Sequence, residues 1–217
     1  AAGVYDGAGS AQHLLPGPRW TAITIGPPPE DSIRRLDLRT GVLTRDELGA
    51  TGPPLRTVRF ASAAIPGVSA LRAEAVPGRL SARPVFRPPT SGWFSSGQLG
   101  RRHWARAVGQ PGGIGSVARQ RIAHGTAVRS VERLVASVAD AARQPRLSHA
   151  HDLLSAAQAA GFDTLLARQR RCWAARWADA NVTIPDDPAA ELAIRFALFQ
   201  LWANTGRQAE LAVGARG

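Results

Sequence analysis

The chain has 217 residues and a formal net charge of +11, with 44% of its residues hydrophobic and 20% charged. That length supports one domain of ordinary size, or one domain and part of another. The single cysteine, Cys172, excludes a disulfide framework or a metal–thiolate cluster within the chain, and the absence of methionine makes it read as a fragment, a processed chain or segments joined across gaps.

Every basic side chain other than histidine is arginine. A strong positive balance is one mark of a nucleic-acid or anionic partner. Here the arginines are scattered, densest at Arg101–Arg102, Arg119/Arg121 and Arg168/Arg170/Arg171. The interleaved aromatics of a nucleic-acid module are missing, so GC-rich codon usage explains the arginines better and no nucleic-acid partner is expected. No apolar run reaches the ~20 residues that span a bilayer. The longest candidate, Leu192–Ala203, is broken by Arg195, so no membrane partner is expected, and a reducing, cytoplasmic setting fits the cysteine usage.

Residues 1–136 read as β-rich, with glycine and proline punctuating short apolar or alternating runs. Trp20–Ile25 reads as a strand closed by Gly26-Pro27-Pro28-Pro29, which cannot continue a ladder. Leu36–Arg39 alternates apolar and polar, and Thr40-Gly41 turns the chain into Val42–Arg45, a hairpin pattern. Arg56–Ser62 and Val68–Ala75 form a second pair around Pro66-Gly67. Each run is too short and one-sided to stand alone, so they must pack as a sandwich or larger sheet system. Within 77–128, Trp93-Phe94, His103-Trp104 and Ile114–Val117 are candidate strands without an assignable register, and joined segments are most expected there. Arg129–Ala136 again reads as a strand.

From His149 the period changes from two to 3.6. Phe162, Leu165, Leu166, Cys172, Trp173 and Trp177 fall in one stripe at roughly 100° per residue, with Arg168 and Arg171 away from it. Gly161 separates this helix from a shorter one at His151–Ala160, and the tryptophans read as core packing. After the extended link Asn181–Ile184, Asp187 supplies an N-cap oxygen and Pro188 the first helical position. The helix that follows, Ala189–Asn204, is apolar nearly all round, the pattern of a helix buried on several sides. It expects neighbours beyond the visible chain.

Several of these runs resemble a known family. Gly3–Asp6, Leu14–Pro16 before Trp20, Leu36–Leu43, Arg59–Ser62 and Leu71–Glu74 are similar to the N-terminal β-sandwich of glycoside hydrolase family 65, a group of α-glucoside phosphorylases and hydrolases. The fullest likeness is C-terminal, at Ala160–Asp163, Trp173–Trp177 and Leu192–Phe199, and Val213–Gly217 is similar to the segment leading into the family's catalytic barrel. The likeness covers roughly residues 1–76 and 129–217 in the family's order. It departs in lacking the glycine-rich opening of the first domain and in a short, unfamiliar stretch at 77–128.

The resemblance implies a mainly β N-terminal part, an antiparallel sandwich over 1–136, then a helical linker over 137–185 and the start of an (α/α)6 barrel over 186–217. It further implies an inverting enzyme acting on α-linked disaccharides such as trehalose, maltose or kojibiose, a homodimer, and a catalytic barrel elsewhere in the same polypeptide as the main partner. Inversion needs a general acid, with phosphate or activated water attacking the opposite face; no cofactor is implied beyond inorganic phosphate as co-substrate of a phosphorylase. The family's acid is a barrel glutamate, and none of Glu30, Glu47, Glu74, Glu132, Glu191 or Glu210 occupies its motif, so no catalytic residue is expected in this chain. Arg216, at the barrel mouth, is the single substrate-binding candidate, because a guanidinium suits hydroxyls or phosphate.

Other patterns point to less. His149 and His151 at i, i+2 of a helix start do not share a face, so no metal site is expected. Pro111–Ser116 lacks the lysine of a phosphate loop and reads as a turn, and Ser95-Ser96 lacks the strand–turn–helix setting of a nucleophile elbow. A non-enzymatic carbohydrate-binding or subunit-contact sandwich is the competing reading.

Overall fold

The computed structural model describes residues 5–6, 13–14, 17–25, 31–48, 55–75, 80–82, 84–88, 93–108, 112–126, 128–140 and 147–204. In chain order its elements are β1 (Tyr5–Asp6), β2 (His13–Leu14), β3 (Thr24–Ile25), β4 (Asp31–Asp37), β5 (Val42–Leu48), β6 (Leu55–Ala61), β7 (Val68–Ala75), β8 (Leu80–Ser81), β9 (Trp93–Leu99), β10 (Arg102–Val108), β11 (Gly113–His124), β12 (Arg129–Asp140), α1 (Ser148–Ala180) and α2 (Pro188–Asn204). A mainly β N-terminal part followed by helices is the arrangement expected.

The centre is an eight-stranded antiparallel sheet in the order β4-β5-β6-β7-β12-β11-β10-β9. Two meanders, β4–β7 and β9–β12, are joined where β7 pairs with β12. Their hairpins sit where the sequence places turn residues. Between β4 and β5, Asp37 accepts from Thr40 Oγ1 at 2.6 Å and from the Arg39 amide at 3.0 Å, while its carbonyl accepts from the Gly41 amide at 2.8 Å. Gly41 closes this turn at φ +63°, a left-handed conformation that side chains with a Cβ disfavour.

Alternation divides the sheet into two faces. Val42, Phe60, Val68, Ala70, Val117, Leu134 and Ala136 meet α1 through Ala150, Leu154, Ala157, Phe162 and Leu165. The opposite face, including Leu71, Ala73, Val131 and Val135, is covered by Trp20, Ile23, Ala82, Val85 and Phe86. This second layer is thin: its ladders among the described residues are the β3–β8 pair and the Arg19–Arg87 bridge.

A buried arginine holds that layer down. Arg133, on β12, donates to the carbonyls of Trp20, Ala22 (3.3 Å) and Ala82 (2.8 Å), and to Gln120 Oε1. Burial, with the nearby Arg87 charge, lowers its guanidinium to about 10. These bonds explain why the expected strand Trp20–Ile25 shrinks to Thr24–Ile25. The carbonyls of Trp20 and Ala22 turn to a side chain instead of a neighbouring strand.

Residues 93–124, left without register by the sequence, form three consecutive paired strands. The run read as a turn at Pro111–Ser116 differs from that expectation, for Gly113–Ser116 lies in β11 between β10 and β12. Its glycines let neighbouring strands carry the bulk: Gly115 faces Arg106 and Val138. Within α1, Gly161 has φ +77° and ψ +163°, which is not helical, so the helix breaks where the sequence places a break. The helix start at Asp187-Pro188 also holds: Asp187 Oδ1 accepts from the Ala190 amide at 2.9 Å.

Candidate functional site

Three structural knots position the surface that matters. In the first, α1 grips the loops of two neighbouring hairpins. Gln169, fully buried, accepts from the Ala63 amide at 2.7 Å and donates to the Thr40 carbonyl at 3.1 Å. One turn further on, Trp173 closes over Gly41, and Trp177 Nε1 donates to the Leu38 carbonyl at 2.9 Å. Gln169 stands at i+7 from Phe162 on the apolar stripe, so its position signalled burial although its polarity hid it. Arg168 and Arg171 are exposed, as the stripe requires.

The second knot lies just past the Gly161 break. Arg72 packs over the Phe162 ring at 4.1 Å, takes both oxygens of Asp163 at 2.8 and 3.0 Å, and reaches Glu132 at 3.0 Å. The hydrogen bond from Arg72 holds the Asp163 carboxyl below its ordinary range, and in return raises Arg72. On the same face, Arg102 of β10 donates to Ser155 Oγ at 3.0 Å and stands 3.1 Å from His151 Nδ1. Together they fix both limbs of α1 against the sheet.

The third knot seats α2 on α1. Trp173 stacks on Phe199 at 4.7 Å between ring centroids, and Trp202 meets Trp173 and Trp177 edge-on at 6.2 and 4.7 Å. Glu191 ties the helix to the link before it by accepting from the Ile184 amide at 2.9 Å, and also pairs with Arg195. Away from this aromatic contact, large apolar side chains of α2 are exposed. Leu192, Phe196 and Leu201 are 60%, 47% and 55% exposed. Among the described residues, then, α2 is not surrounded on several sides. One flank is covered, because α1 is the partner it has among the described residues, and an apolar flank faces outward.

Arg216, the substrate-binding candidate, lies outside the described residues, as do Glu30, Glu210 and the Val213–Gly217 run. Of the other glutamates, Glu47 pairs with Arg45, Glu132 with Arg72 and Glu191 with Arg195, which are structural roles. His151 is engaged by Arg102, while His149 is exposed. Among the described residues no group of three His, Cys, Asp or Glu side chains is placed to hold a metal ion. Ser95 and Ser96 lie within β9. Among the described residues no helix is long and apolar enough to cross a membrane.

No protein-family model and no curated protein matches the chain. A solved structure described as "Putative kojibiose phosphorylase from human microbiome" is similar to it with a TM-score of 0.70 at 14% sequence identity, over 94% of this chain and 32% of that one. The chain thus spans about a third of the length of the structure it matches. At this identity the likeness is one of fold.

Proposed function

We propose that this chain is the N-terminal, non-catalytic portion of an inverting α-glucoside phosphorylase or hydrolase, with a β part that ends with β12 at Asp140, a helical linker built on α1, and α2 opening a catalytic barrel. The observation that carries this reading is the exposure of Leu192 and Phe196, about one turn apart on the same side of α2, at 60% and 47%. An exposed leucine and phenylalanine side by side on a helix are costly in water, about 25 cal/mol per Å² of apolar area, and apolar surface of that kind suits a contact. A barrel in the same polypeptide covers it. The match of nearly the whole chain to about a third of a longer chain supports the same layout.

In this reading the chain supplies no acid or nucleophile. The linker knots at Gln169, Trp173 and Trp177 fix the barrel's first helix against the sandwich, and the sandwich serves a homodimer. The barrel supplies the carboxylate that protonates the leaving oxygen of an α-linked disaccharide such as kojibiose, trehalose or maltose, and inorganic phosphate or water attacks the opposite face. The setting is cytoplasmic.

The test is the polypeptide as its natural source makes it. Its intact mass is expected to exceed that of 217 residues by a barrel, and it is expected to release a sugar 1-phosphate from an α-linked disaccharide when phosphate is added. Free glucose at an unchanged rate without phosphate would select the hydrolase form. A natural chain of this size with neither activity would end the proposal.

One observation favours a second reading, a glycan-binding or subunit-contact module. The outermost strand β9 presents Trp93 and Leu99 at 57% and 74% exposure, and an exposed tryptophan at a sheet edge suits a sugar ring or a partner chain. Glycan retention by the chain alone, lost in Trp93→Ala, would favour it.

A further inference from the structure

Three arginines converge on the sheet face turned away from α1, at the β4 end. In the strand registers Arg34 stands directly opposite Arg45, and Arg45 stands opposite Thr57, two residues from Arg59. Alternation therefore puts Arg34, Arg45 and Arg59 on one face. The other face of the same strands carries Asp46 between Arg35 and Arg56, at 3.1 and 2.8 Å, so its charges are balanced.

Among the described residues the three-arginine face is not balanced. Like charges directly opposite across a strand pair oppose pairing. Among the described residues of β4–β6 the acid on this face is Glu47, buried and paired with Arg45 through one oxygen, and its other oxygen is buried without a hydrogen-bond partner. Arg45 also donates to Ser32 Oγ at 3.0 Å. Among the described residues, Arg34 and Arg59 have neither an acid nor a hydrogen-bond partner for their guanidinium groups. Arg59 is half-buried, and burial together with the charges of Arg34 and Arg45 lowers its guanidinium from the ordinary arginine value.

We propose that Arg34, Arg45 and Arg59 form a binding site for a phosphate-type oxyanion, either inorganic phosphate or the phosphoryl group of a small monoester. A guanidinium offers paired N–H groups that match two oxygens of such an anion at once. Arg34 and Arg59, unpaired among the described residues, and Arg45, held in place by Glu47 and Ser32, supply donors from three strands. The anion also removes the mutual repulsion that the sheet otherwise carries. Leu36 and Leu43, opposite each other on the same face, border the cluster with apolar surface that suits the organic part of a monoester. The site stands independently of the glycosidase reading, because it lies on residues given no part in that chemistry.

Titration calorimetry and thermal unfolding of the full chain, at constant ionic strength set with chloride, test it with inorganic phosphate and with a hexose phosphate. Saturable binding is expected, with a rise in the unfolding midpoint. The Arg34→Gln/Arg59→Gln pair is expected to weaken binding on the order of tenfold or more. Arg170→Gln/Arg171→Gln, which removes the same charge from the exposed side of α1, is expected to keep it. Tighter binding of the hexose phosphate assigns the monoester, and equal affinity assigns inorganic phosphate. Arg34 is exposed, so Arg34→Gln alone folds, and without phosphate its unfolding midpoint is expected to hold or rise. Absence of saturable binding by both anions, equal losses in the two double variants, or a lowered midpoint for Arg34→Gln without phosphate would each overturn the site.

Discussion

Gly41 lies directly beneath the Trp173 ring: a Cβ there would stand 2.6 Å from Nε1 and 2.7 Å from Cε2 of the indole. Positions 41 and 173 are far apart in the chain, yet the β4–β5 turn and the second limb of α1 meet closely enough that hydrogen is the largest group tolerated. The same glycine needs a left-handed φ of +63°. Two demands on one residue make this contact a fixed point between sheet and linker.

Gly41→Ala is expected to destabilise the chain by about 2–4 kcal/mol, from left-handed strain of about 1–2 kcal/mol plus overpacking of about 1–3 kcal/mol. Gly100→Ala isolates the first part, since Gly100 has φ +58° and nothing within 4 Å of its added Cβ. Urea unfolding of the two variants gives the packing part by difference. Equal losses would mean that Trp173 yields freely.

Gln169→Leu keeps the volume but strands the Ala63 amide and the Thr40 carbonyl, which Gln169 serves at 2.7 and 3.1 Å. Each orphaned group costs about 1–3 kcal/mol. Hydrogen exchange is the discriminating measurement: the Ala63 amide is expected to lose protection out of proportion to the global change.

Arg133→Met removes the donor to three backbone carbonyls and Gln120. An expected loss of about 3 kcal/mol follows from the unpaired buried acceptors, partly offset because the buried cation and its desolvation also go. Exchange protection is expected to fall first at residues 17–25 and 80–82. Unchanged protection there would show that apolar packing alone holds the second layer.

Acid sensitivity follows from Asp163 and Asp46, whose carboxyls are held below the ordinary range chiefly by hydrogen bonds from Arg72 and Arg56 respectively. The folded chain binds these protons less readily than the unfolded chain. Their contribution is therefore complete above about pH 4 and fades as pH falls through the lowered folded values. Asp163 is 80% exposed, so its share is no more than about 1 kcal/mol. In Asp163→Asn the stability–pH curve is expected to flatten below about pH 4, and an unaltered curve would remove the bridge from the account.

Leu192→Glu with Phe196→Glu is expected to leave the stability of the isolated chain within about 0.5 kcal/mol and to lower its binding of an apolar dye. In the natural polypeptide the same pair is expected to cost several kcal/mol, because two charges would enter a covered contact. Equal stability in both settings would show that nothing covers α2.

The sequence was most legible where local chemistry and pattern agreed. Asp37, Thr40 and Gly41 announce their turn, and Gly161, Asp187 and Pro188 announce helix boundaries through backbone preferences that tertiary contacts did not override. The register of β9–β11 was not legible, since Gly97, Gly113 and Gly115 leave little hydrophobic alternation and cross-strand bulk comes from Trp104 and Arg106. Arg133 and Gln169 escaped because polar side chains usually read as exposed; each is buried by serving backbone groups far away in sequence. Apolarity on α2 did not say which of its sides this chain would cover. The arginine face was hidden for a simpler reason. Its members come from three strands, so proximity appears only once the ladders are set.

The anchor on β12 has a consequence for the order of assembly. Trp20 and Ala22 leave the ribosome more than a hundred residues ahead of the guanidinium that will hold their carbonyls, at separations of 113 and 111. Contacts this distant in sequence form late. Residues 17–25 therefore wait, unsecured by that guanidinium, until β12 joins the sheet, so a layer made before that strand is locked after it.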